Sequence, residues 1–200
     1  MEVCASSFNS ESTENGTELE SHADTCVVGK HGHIVTQFDR TVNVTGYDHK
    51  LDTMKNVHIF TAALAYDDHT SGEVIILNVH QSVHIPSMEN DLLCPMQMRL
   101  ADVVVNDCPK FVHENPTDAM HSIIVKATED DNALVIPLSL QGVTLYFLTR
   151  CPTDQELTSC RSFDLTSDAP DSNPINPMFQ EQEVLIVDNF GLVKETGDRS

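Results

Sequence analysis

Residues 19–29 hold the side chains of this chain that are best suited to chemistry. They read Leu-Glu-Ser-His-Ala-Asp-Thr-Cys-Val-Val-Gly, which places two carboxylates, Glu20 and Asp24, around the hydroxyl of Ser21 and the imidazole of His22. A carboxylate in this stretch is a candidate for general acid–base chemistry. The apolar residues on both sides predict that strands carry this polar stretch as a loop.

The elements that must position this loop are predicted to be strands. Between residue 19 and about residue 149, short segments rich in Val and Ile alternate with turn residues at intervals of about ten, which is typical of an all-β domain. The predicted strands are 25–28, 33–38, 41–45, 57–66, 73–79, 82–85, 103–105, 122–125, 133–140 and 143–148.

Helices and tails complete the predicted organisation. Residues 95–100 form the best short helix, because a proline stands at its first position, and residues 154–160 are a second candidate. Residues 1–18 are polar and are predicted to be disordered. Residues 153–200 are predicted to be an acidic linker and tail, in which the apolar island 183–187 could pair as an edge strand or dock.

Composition narrows the classes of function. The chain has 31 acidic and 11 basic residues and a net charge of −20, so we expect it to repel nucleic-acid phosphate rather than bind it directly. No apolar run approaches the roughly 18 residues that span a bilayer, so we expect no membrane contact. The six cysteines are scattered and are most simply free thiols.

The loop sequence resembles the catalytic loop of retropepsin-like aspartic proteases. That loop reads Asp-Ser/Thr-Gly-Ala-Asp/Ser and is followed by two aliphatic residues; Ala23, Asp24 and the Val pair at 27–28 match it. Glu20 stands at the position of the catalytic Asp and His22 at that of the glycine. In some protease regions of Copia-type retrotransposons the local form is similar to Asp-Ser-His-Ala-Asp-Thr, which makes Glu20 the true departure.

Residues 83–98 carry a second part of the resemblance. A strand ending at a proline leads to Leu-Leu-Cys at 92–94, and a predicted short helix with Gln97 follows. The order is similar to that in Copia-type protease regions, where Asn-Leu-Leu-Ser precedes a helix carrying Gln-Leu. The resemblance covers about residues 19–152. It implies that Leu92 and Leu93 support the loop from below.

The resemblance also implies a flap, a hairpin that closes over substrate. Residues 41–48 fit best, with Gly46 near the tip, and the hairpin loop 67–72 is the competing candidate.

The fold that the resemblance implies is all-β, a retropepsin-like closed barrel with one short helix, extra C-terminal hairpins and disordered acidic tails. Its domains would be residues 1–18, 19–152 and 153–200. The implied function is that of a retrotransposon aspartic endopeptidase, located in the cytoplasm or within virus-like particles, that cuts its own polyprotein.

The resemblance assigns the site residues as follows. Glu20 from each subunit of a homodimer would activate a water molecule, and Ser21 would tie the two loops together. His22, Ala23, Asp24 and Gly46 would bind the polypeptide substrate. No cofactor is expected.

Three alternatives stay open at this point. Asp24-Thr25-Cys26 also reads as acid, hydroxyl and small residue, which makes Asp24 the second candidate for the catalytic carboxylate. A chain in which Glu20 cannot replace Asp would be a catalytically dead β-domain that binds peptide or assembles particles. A metal-binding domain is the third, since His22, Cys26, His31 and His33 are clustered. No clear second ligand pair follows them, so no metal ligand is assigned.

Overall fold

The computed structural model describes residues 15–46, 53–112, 114–117, 119–126 and 133–169. Strands dominate this part of the chain. They are β1 (Asn15–Leu19), β2 (Val27–Val28), β3 (His33–Val44), β4 (Met54–Asp67), β5 (Val74–His84), β6 (Asp91–Leu93), β7 (Val104–Asn106), β8 (Ser122–Val125), β9 (Leu134–Pro137), β10 (Ser139–Gln141), β11 (Thr144–Thr149) and β12 (Arg161–Asp164). The helices are α1 (Pro95–Leu100), α2 (Asp154–Ser159) and a 3₁₀ turn (Lys110–Val112).

Nine strands form one open sheet. Its order is β10-β11-β1-β6-β2-β5-β4-β3, and β12 pairs with β5 beside β2. A second sheet has the order β7-β8-β9. The all-β class is confirmed, but the prediction of a closed barrel is wrong for the described residues. Closure requires the outer strands to pair with each other, and here β3 pairs only with β4 and β10 only with β11.

The core lies where the two sheets and α1 meet. The middle of β4 is apolar at successive positions and buried throughout, as expected for a strand covered on both faces. On one face, Leu64 of β4 belongs to the same apolar cluster as Leu93, Met98 and Ile123. On the other, Ala63 belongs to a small cluster with partly buried side chains beside α2. Each fully buried Leu contributes about 1.5–3 kcal/mol of apolar transfer free energy.

Two pairs of predicted strands are single strands in the structure. The segments 33–38 and 41–45 form the continuous strand β3, with register shifts against β4 where the polar residues fall. The segments 73–79 and 82–85 form β5, and Gln81, with φ of +53°, marks the irregularity between them. Hairpin pairing along the whole length overrides the local break in the apolar pattern.

Parts of both predicted tails form regular structure. β1 begins at Asn15, so residues 15–18 are ordered although disorder was expected for 1–18; β11 and β6 pair with β1 on its two sides. In the predicted linker 153–200, α2 and β12 are folded, so the prediction of one short helix is also incomplete. The island 183–187 lies outside the described residues.

Arg150 fastens α2 to the β4–β5 hairpin. Its Nε and Nη2 donate to the two carboxylate oxygens of Asp67 at 2.8 and 2.9 Å, and its Nη2 and Nη1 donate to those of Glu156 at 2.6 and 2.9 Å. Glu156 also accepts from the backbone N–H of Thr153, which caps the helix. The Arg150 hydrogen bonds, followed by that of Thr153, lower the pKa of Glu156 from 4.5 to about 2.

This network predicts an acid-sensitive contribution to stability. Because the folded-state pKa of Glu156 is lowered, its contribution is present above pH 4.5 and is lost as the pH falls towards 2. We expect Glu156→Gln to lower the free energy of unfolding by about 1–2 kcal/mol near neutral pH. Thermal unfolding followed by circular dichroism measures this, with Asp154→Asn as the control. A deficit of equal size at pH 2 and at neutral pH would contradict the assignment.

Candidate active site at the end of β1

The candidate loop, residues 20–26, leaves β1 and enters β2, and β6 runs between these two strands. Leu19 pairs with Leu93 in the parallel ladder of β1 and β6, and Val27 pairs with Leu92 in the antiparallel ladder of β2 and β6. The backbone N–H of Glu20 donates to the Leu93 carbonyl at 2.9 Å. Leu92 and Leu93 therefore hold the two strands that enter and leave the loop, which agrees with the supporting role expected for them.

Gln97 of α1 fixes the end of the loop. Its side chain is 6% exposed, and its Oε1 accepts from the backbone N–H of Cys26 at 2.8 Å and from the Thr25 hydroxyl at 3.3 Å. The Thr25 hydroxyl lies 3.0 Å from the Gln81 carbonyl, and Nε2 of Gln97 donates towards the same carbonyl at 3.4 Å. The helix motif predicts the position of Gln97 in the chain but not this role in holding the loop.

A buried polar network lies under the loop. Asp91 is 0% exposed; its Oδ1 accepts from the backbone N–H of Gly29 at 2.7 Å and its Oδ2 from the Thr17 hydroxyl at 3.2 Å. The Thr17 and Thr149 hydroxyls are 2.7 Å apart. A Cβ on Gly29 would stand 2.6 Å from the carbonyl oxygen of Met88, so this position has no room for a side chain. The sequence pattern predicts no role for Asp91 or Gly29. The one sequence signal for Asp91 is an acidic residue directly before the Leu-Leu pair.

Glu20, Ser21 and His22 form one cluster at the surface. Oε1 of Glu20 accepts from the backbone N–H of His22 at 2.9 Å and lies 3.2 Å from its Nδ1. The Ser21 hydroxyl is 3.3 Å from the same ring nitrogen. The Glu20 side chain is 43% exposed and that of His22 80% exposed. The carboxylate is therefore held within its own loop and is open to a substrate or a second chain.

The remaining predicted residues lie on either side of this cluster or beyond it. Ala23 is half-buried and Asp24 is exposed, both within the loop. Gly46 is exposed and follows β3, on the approach to residues 47–52, which lie outside the described residues. The β3–β4 hairpin occurs where the flap was expected, and 67–72 is the turn between β4 and β5. None of the hydrogen bonds among the described residues joins Gly46 to the Glu20 loop.

The loop of each chain presents the carboxylate of Glu20 and, four residues later, that of Asp24. Two carboxylates about 3 Å apart cannot both ionise, so a pair of Glu20 residues could share a proton and hold a water molecule between them. A two-fold axis beside the loop would generate such a pair from two identical chains.

No cluster of ligand side chains among the described residues supports the metal-binding alternative. In the parts of the chain that the structure describes, no group of three or more His, Cys, Asp or Glu side chains could hold a metal ion. Cys26 is 0% exposed, whereas His22 is largely in solvent. Burial raises the pKa of the Cys26 thiol to about 12, so it is not a thiolate near neutral pH.

A cavity of about 850 Å³ lies away from the loop. Leu100, Val125 and Phe163 are among its lining residues, with Lys126 and Arg161, and no residue of the 20–26 loop lines it.

Among the described residues, no helix is long and apolar enough to cross a membrane. No protein-family model, no curated protein and no solved structure matches the chain.

Proposed function

We propose that this chain is a retropepsin-like aspartic endopeptidase of a Copia-type retrotransposon polyprotein, acting as a homodimer. The supporting observation is the position of Glu20. Its backbone is tied to the Leu93 carbonyl, and its carboxylate, 43% exposed, is presented at the end of β1. This is where the resembling family places its catalytic acid. The cytoplasm or the interior of virus-like particles would be its place of action.

The proposed reaction needs one Glu20 carboxylate from each chain. The ionised carboxylate takes a proton from the shared water as the water oxygen attacks the peptide carbonyl carbon, while the protonated carboxyl gives its proton to the carbonyl oxygen. The tetrahedral intermediate then loses its C–N bond. The leaving nitrogen accepts a proton from the carboxyl that had acted as base, and the second carboxylate regains its own as the carbonyl re-forms.

The neighbouring residues have supporting roles in this proposal. Ser21 would hydrogen-bond across the two-fold axis to the partner loop. Ala23 and Asp24 would contact the backbone of the bound peptide, and His22 would border the same peptide from the outer side of the loop. Gly46, on the β3–β4 hairpin, would approach the substrate from the opposite side.

The test is hydrolysis of polyprotein-derived peptides at about pH 4–6, where a carboxylate pair can share a proton. We expect Glu20→Gln to lower kcat/KM at least about a hundredfold, because the amide can neither accept nor donate the transferred proton as a carboxylate does. Glu73→Gln, an exposed carboxylate in the β4–β5 turn, is the matched control and should retain activity. Activity that survives Glu20→Gln would overturn the assignment.

A catalytically inactive β-domain that binds peptide or assembles particles is the second candidate. One observation favours it: Oε1 of Glu20 is already engaged by the backbone N–H and the Nδ1 of His22 within its own loop. This candidate predicts that the native chain binds the same peptides without cutting them. Fluorescence anisotropy of labelled peptides, measured beside the hydrolysis assay, distinguishes the two.

A further inference from the structure

One side of β12 carries no further strand in the part of the chain that the structure describes. β12 pairs with β5 alone, in a parallel ladder with Asp164 opposite Asn78. The backbone N–H of Leu165 donates to the Asn78 carbonyl at 2.9 Å, and along a strand the backbone groups of successive residues turn to opposite sides. The N–H and C=O groups of Ser162 and Asp164 therefore point away from β5, towards the free edge of the strand.

The cavity of about 850 Å³ runs along this free edge. All four residues of β12 line it, although their side chains alternate between the two faces of the sheet, so the cavity lies beside the strand rather than over one face. Its lining also includes Leu100 of α1, whose side chain is 43% exposed, and the buried residues Val103 and Val125. An exposed strand edge beside such a space is where an extended segment can add as a further strand.

The chain itself leaves the described structure at this cavity. Residues 166–168 line it, directly before Ala169, the last described residue. The 15 residue steps from Asp168 to Glu183 span up to about 50 Å when extended, whereas β12 is about 13 Å long. A segment tethered in this way has an effective concentration in the millimolar range, so even a weak contact is largely occupied.

Residues 183–187 have the composition of a short buried strand. Glu183 is followed by four aliphatic residues, Val-Leu-Ile-Val, three of them β-branched, and Asp-Asn at 188–189 gives a turn signal directly after them. A short apolar run that ends at turn residues is typical of a strand covered on both faces. Such a run needs an apolar partner, and the exposed part of the Leu100 side chain supplies one at the cavity.

Charge also favours this segment as the occupant. Lys126 and Arg161 line the cavity, and the acids Glu183 and Asp188 stand at the two ends of the apolar run. Three aspartates, at 102, 164 and 168, line the cavity as well, and one of them is held towards β5, where Asn78 Nδ2 donates to Asp164 Oδ1 at 2.8 Å. A lining of mixed sign suits a segment that is apolar in its middle and charged only at its ends.

We propose that residues 183–187, which lie outside the described residues, add to the free edge of β12 as a strand of the same chain. The backbone groups of Ser162 and Asp164 would bond to the added strand, and its aliphatic side chains would cover Leu100. Covering the edge in this way keeps it from pairing with other chains. The inference does not depend on the proposed function, because no residue of the Glu20 loop lines the cavity.

Amide hydrogen exchange, measured by NMR on the full chain, tests the added strand. We expect the amides of Ser162 and Asp164 to exchange at least about tenfold faster in the double variant Leu185→Asp, Ile186→Asp, because the variant places charges in an apolar contact. Val193→Asp changes an aliphatic residue after the segment and should leave both rates as in the native chain. Equal rates in the native chain and the double variant would overturn the proposal.

A matched pair of variants tests the cavity side of the contact. Leu100→Ser removes apolar area that lines the cavity and should speed exchange of the same two amides about threefold. Val104→Ser is the control, since Val104 is 41% exposed but does not line the cavity. An equal effect of both substitutions would contradict docking at this site.

A labelled synthetic peptide of residues 181–189 tests the occupant by fluorescence anisotropy. It should bind the double variant and bind the native chain at least about tenfold more weakly, because the tethered segment competes with it. Equal binding to the two chains would overturn the proposal, as would a double variant that binds no peptide at millimolar concentration. Protection of Ser162 and Asp164 that rises with the concentration of the native chain would assign the contact to a second copy and overturn docking within one chain.

Discussion

Glu20→Asp is expected to raise kcat/KM for peptide hydrolysis about a hundredfold above that of the native chain. The extra methylene of Glu moves the carboxylate by roughly 1 Å, and a displacement of this size costs about a hundredfold in rate. The backbone at this position is fixed by the hydrogen bond from Glu20 N–H to the Leu93 carbonyl, so the shorter side chain would start from the same point. The comparison is made with initial rates on one peptide at one pH.

Two further variants make this result interpretable. Asp24→Glu changes the other carboxylate of the loop in the opposite direction and should not raise the rate. The double variant Glu20→Asp, Gly29→Ala keeps the improved acid but disturbs the support beneath the loop, because its new Cβ would meet the Met88 carbonyl oxygen at 2.6 Å. It should lose the gain. A Glu20→Asp variant slower than the native chain would show that the loop is built around the longer acid.

Asp91→Ala is expected to lower the free energy of unfolding by about 1–3 kcal/mol, because it leaves a buried backbone donor unsatisfied. The substitution removes the 2.7 Å partner of the buried Gly29 N–H, while the Thr17 hydroxyl loses its 3.2 Å partner and keeps that of Thr149. Urea denaturation followed by circular dichroism measures the loss.

Asp91→Asn is the matched control for that prediction. Its carbonyl oxygen can still accept from Gly29 N–H, and its amide can donate to the threonine hydroxyls, so we expect it to lose less than half as much stability. Equal losses in the two variants would show that the negative charge, rather than the hydrogen-bond geometry, stabilises the network.

The sequence predicted those elements whose signals are local. The bounds of α1 were predicted correctly because Pro95 marks its first turn, and those of β8 because its short apolar run ends in charged residues. β1 was missed because Asn15, Gly16 and Thr17 have no apolar pattern; they form a strand only because partners lie on both sides. The open sheet was not predicted for a similar reason. Whether a strand lies at the edge of a sheet depends on which other strands pair with it, and this is not visible in its own sequence.

The site was predictable to the extent that it is one continuous segment. The motif located the Glu20 loop, and a second motif located the Leu-Leu pair beneath it. The side chains that hold the loop come from elsewhere: Asp91 is separated by 62 residues from its partner Gly29, and Gln97 by 71 from Cys26. No local pattern reveals which distant backbone group a buried polar side chain will meet.

The placement of β1 between β6 and β11 has a consequence for the order of folding. The strand that leads to Glu20 is synthesised before its partners, and these include Thr149, which is 132 residues away from Thr17. Contacts of such long range are slow to form, because loop closure must come before the stabilising contacts. At about 5–20 residues per second, the ribosome takes several seconds or more to add them. The candidate carboxylate therefore reaches its folded position only after the ribosome has made the chain through Thr149, which pairs with the start of β1.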